Sequence, residues 1–158
     1  MKKKTSEMPT QFINVRVTAV PDPDHKTSLV KYRTTFEPAF VTVVQPDTVI
    51  NYQLVDPTPE GVRFASVEIT PDSTQISQPS ISRSGKLVTF SDANTKRESL
   101  AVTLYFTDRD GLRFAVDPDI KNDPQPPFLF GTNVGSPPLM AFAVDPDEPN
   151  NPQPPAPV

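Results

Sequence analysis

An all-β domain, an immunoglobulin-like or related Greek-key sandwich of about eight strands, follows from three features of this 158-residue chain. Apolar residues recur at every second position through most of its length, the period of a half-buried strand. The 21 prolines leave little room for helix, since each interior proline costs a helix about 3 kcal/mol. No stretch of helical length keeps a helical period. A sandwich is preferred to a barrel because the strands differ in length and the turns between them carry so much proline.

The strands can be taken in order. Ile13, Val15, Val17 and Ala19 share one face of the first, with Asn14, Arg16 and Thr18 on the other. Pro21, Asp22, Pro23 and Asp24 end it, because proline has no ladder donor and aspartate caps turns. Further strands are predicted over 29–36, 39–45 and 48–55, with Pro46 and Asp47 turning between the last two. Asp56 to Gly61 forms another turn, and strands follow over 62–70, 86–91 and 99–106. The serine-rich connection between 70 and 86 carries a short edge strand near Ile81. Asp92 to Arg97 reads as an irregular loop with at most one helical turn. Asp110-Gly111 tolerates positive φ and joins 99–106 to 112–116 as a hairpin. Phe128–Phe130 and Leu139–Phe142 are read as last strands that bury their phenylalanines. The predicted organisation is a flexible tail over 1–11, the sandwich over 12–144 and a proline-rich tail over 145–158.

The chain writes one phrase twice. Residues 114–127 read FAVDPDIKNDPQPP and residues 142–155 read FAVDPDEPNNPQPP, an offset of 28. The candidate interaction motif is therefore Phe114, Asp117, Pro118, Asp119 and Asn122, with Phe142, Asp145, Pro146, Asp147 and Asn150 as its second copy. One reading is structural: Asp-Pro holds the chain extended, the next aspartate caps a turn, and the PQPP end runs as polyproline II. A second is a calcium site, with Asp117, Asp119 and Asn122, or their counterparts, offering oxygens at short spacing. Asp108 and Asp110 are further candidates for it, but no bidentate glutamate stands in the register an EF-hand needs. A third is recognition, either of a polyproline groove or of a neighbouring copy of the chain.

Other chemistry is sparse. The formal charge of -4 argues against a nucleic-acid footprint. No run approaches the ~20 apolar residues of a membrane span. The basic start at Lys2–Lys4 is not followed by an apolar signal region, and with no cysteine a cytoplasmic setting is expected. His25, the single histidine, lies in a turn with no partners for a triad or a zinc site. Glu68, Asp117 and Asp119 are the least unsuitable residues for a sandwich hydrolase, but nothing pairs them. No cofactor motif is present, and an enzyme is not expected.

Acid-proline dipeptides recur along the chain: Asp22-Pro23, Asp56-Pro57, Asp117-Pro118, Asp123-Pro124 and Asp145-Pro146, with Glu37-Pro38 and Glu148-Pro149. In these the chain resembles the DP-EP family of uncharacterised bacterial proteins. The resemblance implies a bacterial source and carries no catalytic residue. The function expected from the sequence is a non-enzymatic structural or interaction module that forms a homo-oligomer, residues 142–158 contributing to the contact. The alternative is a small-molecule or calcium-binding domain that uses the Asp-rich turns.

Overall fold

The computed structural model describes residues 10–24 and 31–125. Ten strands follow one another: β1 (Gln11–Pro21), β2 (Tyr32–Glu37), β3 (Val41–Val43), β4 (Thr48–Leu54), β5 (Arg63–Thr70), β6 (Ser80–Ile81), β7 (Leu87–Asp92), β8 (Glu98–Thr107), β9 (Arg113–Val116) and β10 (Asp119–Asn122). No helix is found among the described residues, and so none long and apolar enough to cross a membrane. Residues 93–97 are irregular, with Asn94 at φ 47°, while Asp92, expected to open that loop, instead ends β7.

The strands form two five-stranded sheets. One has the order β2-β1-β4-β7-β6; the other runs β3-β10-β8-β5, with β9 also on β8. Both sheets are mixed. β1 runs parallel to β4, and β10 runs parallel to β3, while the other pairings are antiparallel. A parallel neighbour cannot be reached by a tight turn. The chain meets that constraint by leaving the first sheet after β2, adding β3 to the second, and returning as β4.

The inward faces follow the alternation of the sequence. β1 buries Val15, Val17 and Ala19, β4 buries Ile50, Tyr52 and Leu54, and β8 buries Leu100, Val102, Leu104 and Phe106. With Phe64, Val88, Phe90 and Ile120 all of these except Leu100 make one core between the sheets. Each such side chain, fully buried, contributes roughly 1.5–3 kcal/mol. The expected edge strand near Ile81 is β6, two residues long, and a strand that short leaves little open edge.

The Asp110-Gly111 hairpin forms as predicted. Gly111 takes φ 81°, and β8 and β9 pair from Thr107↔Arg113 to Leu104↔Val116. Gly85, at φ 73°, turns the chain between β6 and β7, and its N–H donates to the Ser82 carbonyl at 2.8 Å. β1 begins at Gln11, the last residue of the expected tail. The expected C-terminal strands and the 144/145 boundary lie outside the described residues.

Candidate functional site

From Phe114 to Asn122 the first copy of the repeated phrase runs as two successive strands, β9 and β10. β9 pairs Arg113–Val116 with Thr107–Leu104, and β10 pairs Asp119–Asn122 with Ala101–Glu98. The two pairings share one register on the same edge of β8, so the Asp117-Pro118 step interrupts the ladder without shifting it. Val102 N–H still donates to the Pro118 carbonyl at 2.9 Å. The reciprocal bond cannot form, because proline has no N–H. The step is therefore a pause in a strand rather than a turn that ends it. Elsewhere the acid-proline pairs sit where strands stop: Asp22-Pro23 follows β1, Glu37-Pro38 closes β2, and Asp123-Pro124 follows β10.

A strand sends neighbours to opposite faces. Phe114 and Val116 are half-buried and Ile120 and Asn122 buried, while Asp117, Asp119 and Lys121 are exposed. The structure thus separates Asn122 from Asp117 and Asp119, and the three do not offer oxygens to a common ion. Phe142, Asp145, Pro146, Asp147 and Asn150 lie outside the described residues, as does His25. Glu68 is exposed and accepts a hydrogen bond from the Tyr105 hydroxyl at 3.2 Å.

Phe114 does more than fill the core. Its ring stacks on Phe106 at a centroid distance of 4.9 Å and on Tyr32 at 4.3 Å. Tyr32 belongs to the edge strand β2 of the other sheet, so the stack closes one side of the sandwich. The Tyr32 hydroxyl donates to Asp108 Oδ2 at 2.9 Å, and burial together with this bond pushes its pKa up to about 12. Asp108 Oδ1 accepts the N–H groups of Asp110 and Leu112, both at 2.9 Å. Burial opposes ionisation of Asp108, but the bonds from Leu112, Tyr32, Asp110 and Gly111 outweigh it and hold the pKa below its ordinary value. The hairpin carboxylate that the sequence offered to calcium is thus engaged by the protein's own donors.

A buried polar knot joins the two sheets. Asp92, Asn94 and Asn122 are at most 2 % exposed. Asp92 Oδ1 accepts from the Asn94 N–H and from Asn122 Nδ2, both at 2.9 Å. Asn94 Nδ2 donates to the carbonyls of Val43 and Gln45 at 3.1 and 3.2 Å. Three oxygens have no partner: Asp92 Oδ2, Asn94 Oδ1 and Asn122 Oδ1. Burial raises the Asp92 pKa, the bonds from Asn94 and Asn122 work against it, and the charge of Glu98 adds to the rise. Sequence reasoning missed Asp92 and Asn94. The signal was present, since Asp92 continues the inward phase of Val88 and Phe90, and a polar residue in that phase must be buried.

On the outward side of the second sheet lies a mostly apolar groove of about 500 Å³. Phe40 lines it with Thr42 of β3, Ser99 and Ala101 of β8, and Asp119 and Lys121 of β10. Phe40 is 82 % exposed. Among the described residues no group of three or more His, Cys, Asp or Glu is placed to hold a metal.

No curated protein is found similar to the chain. A family model described as the DP-EP family matches residues 11–124, from the first residue of β1 to just past β10.

Proposed function

The chain belongs to the DP-EP family, and we propose that it is a non-enzymatic structural or protein-interaction module that self-associates, with residues 142–158 contributing to the contact between subunits. One observation carries the reading. The first copy of the repeated phrase adds to the edge of β8 as a strand, in unbroken register across its proline. A second segment with the same lead and the same acid-proline step has the sequence of a strand that adds to a sheet edge. The outer side of β9 has no partner among the described residues, and an unpaired edge is a template for a further strand. Two copies of an edge-strand sequence in one chain also permit exchange between subunits, a low-cost route to an oligomer.

Removal of the last dozen residues followed by light scattering tests the reading. The oligomer is expected to shrink, and an unchanged size would sink it. The competing proposal, calcium or small-molecule binding through the Asp-rich turns, predicts a saturable rise in Tm with added calcium. A cytoplasmic, bacterial setting and an immunoglobulin-like kinship belong to the same proposal. The lack of cysteine, the family resemblance and the two-sheet architecture support them in turn.

A further inference from the structure

Scattered exposed hydrophobic side chains are ordinary. Phe40 differs because it stands, 82 % exposed, against a groove with a mostly apolar lining. The floor carries small side chains, Thr42 on β3 and Ser99 and Ala101 on β8, the two strands that flank β10. Across its middle strand stand Asp119 and Lys121, both exposed. Among the described residues neither takes part in a salt bridge.

That charge pair identifies the occupant. Asp119 and Lys121 are two residues apart on one face of β10, roughly 7 Å along the strand. A two-fold axis passing over Ile120 would set Asp119 against the partner's Lys121, and Lys121 against the partner's Asp119. A two-fold interface requires this kind of self-complementary pattern. The same rotation carries each Phe40 towards the small-residue floor of the other chain, where an aromatic anchor can be buried. We infer that this face, Phe40 with the outward side of β3, β10 and β8, is where two copies of the chain meet. The inference rests on the self-association reading and gives it a surface within the folded domain.

Sedimentation velocity of the full-length chain over a concentration series, at low salt, tests it. Asp119→Lys presents two lysines to two lysines across the axis, and Lys121→Asp presents two aspartates to two aspartates. Each variant alone is expected to associate at least tenfold more weakly than the natural chain. An equimolar mixture of the two should regain the association, because every contact is then between opposite charges. Both positions are exposed, so folding is not at issue, and Phe40→Ser should weaken association on its own. Charge variants that associate as the natural chain does would overturn this surface while leaving self-association standing. A natural chain that is monomeric at every concentration would overturn both. Charge variants that dissociate, in a protein whose mass ignores removal of the last dozen residues, would support this face and sink the tail contact.

Discussion

Asn122 donates its side-chain amide to Asp92 Oδ1 at 2.9 Å, and the two residues are both fully buried. Asp92 ends β7 in one sheet and Asn122 ends β10 in the other. One hydrogen bond therefore ties the sheets together at a point where the core is polar. A buried polar group is costly unless partnered, and a partnered one becomes costly when its partner is removed.

Asn122→Ala is accordingly expected to lose about 1–3 kcal/mol of stability, the range for a buried acceptor left without its donor. Urea unfolding measures it. A loss below about 0.5 kcal/mol, the level of an ordinary surface substitution, would show that water replaces the amide.

Asp92 makes the stability depend on pH in a defined direction. Its pKa is raised in the folded chain, first by burial. The native state therefore holds the proton at pH values where the unfolded chain has released it. Stability falls as pH rises from the ordinary carboxylate range through the raised native value, and the loss persists above it. Asp92→Asn removes this fall and supplies an amide donor in place of an unpartnered acceptor. Its Tm at neutral pH should exceed that of the natural chain, with a flatter pH profile. A lower Tm with the slope intact would contradict the assignment.

Asp108 gives the opposite sign. Its pKa is held low in the folded state, so its contribution is present above the ordinary carboxylate range and is lost as pH falls through the native value. Tyr32→Phe keeps the ring stack on Phe114 but removes one of the bonds that hold the carboxylate. The expected cost is about 1 kcal/mol at neutral pH, and smaller once Asp108 is protonated and the bond loses its charge assistance. An NMR titration should show the Asp108 pKa rise in this variant. An unmoved value would mean that the backbone donors alone set it.

Phe114→Ala removes the middle ring of the Tyr32–Phe114–Phe106 stack. The position is half-buried, so about 2 kcal/mol is expected, below the 3–5 of a fully buried phenylalanine. Denaturant unfolding reads it, and a full-sized loss would mean that the β2 edge detaches as well.

The two turn glycines should respond unequally to alanine. Both have positive φ, where a side chain costs roughly 1–2 kcal/mol. Gly111 has open space around the added carbon, whereas at Gly85 it would lie 2.7 Å from Arg63 Cβ. Gly85→Ala should therefore lower Tm further than Gly111→Ala, and equal shifts would show that Arg63 moves aside.

Much of the sandwich was legible in the sequence because strand alternation is local. Ile13 to Ala19, the Asp110-Gly111 hairpin and the edge strand at Ile81 were all readable from neighbours along the chain. The parallel pairings β1–β4 and β10–β3 were not, since alternation tells which side of a strand is buried but not which strand lies beside it. The strand 119–122 was missed for a different reason. Asp117-Pro118 has the chemistry of a stop, yet the ladder tolerates one missing donor and continues. Once Ile120 is seen to point inward, Asn122 follows it into the core and Asp119 does not. The candidate oxygens were thus divided between two faces by a strand that the dipeptide concealed. Asp92 and Asn94 became significant only when β10 brought Asn122 to them from the other sheet.

The central claim is that this family member works by joining copies of itself. The most direct test is the solution mass by light scattering of the full-length chain, across concentration, with and without the last dozen residues. The account predicts a mass above that of one chain that rises with concentration and drops on truncation. A single-chain mass at every concentration for both proteins would contradict it.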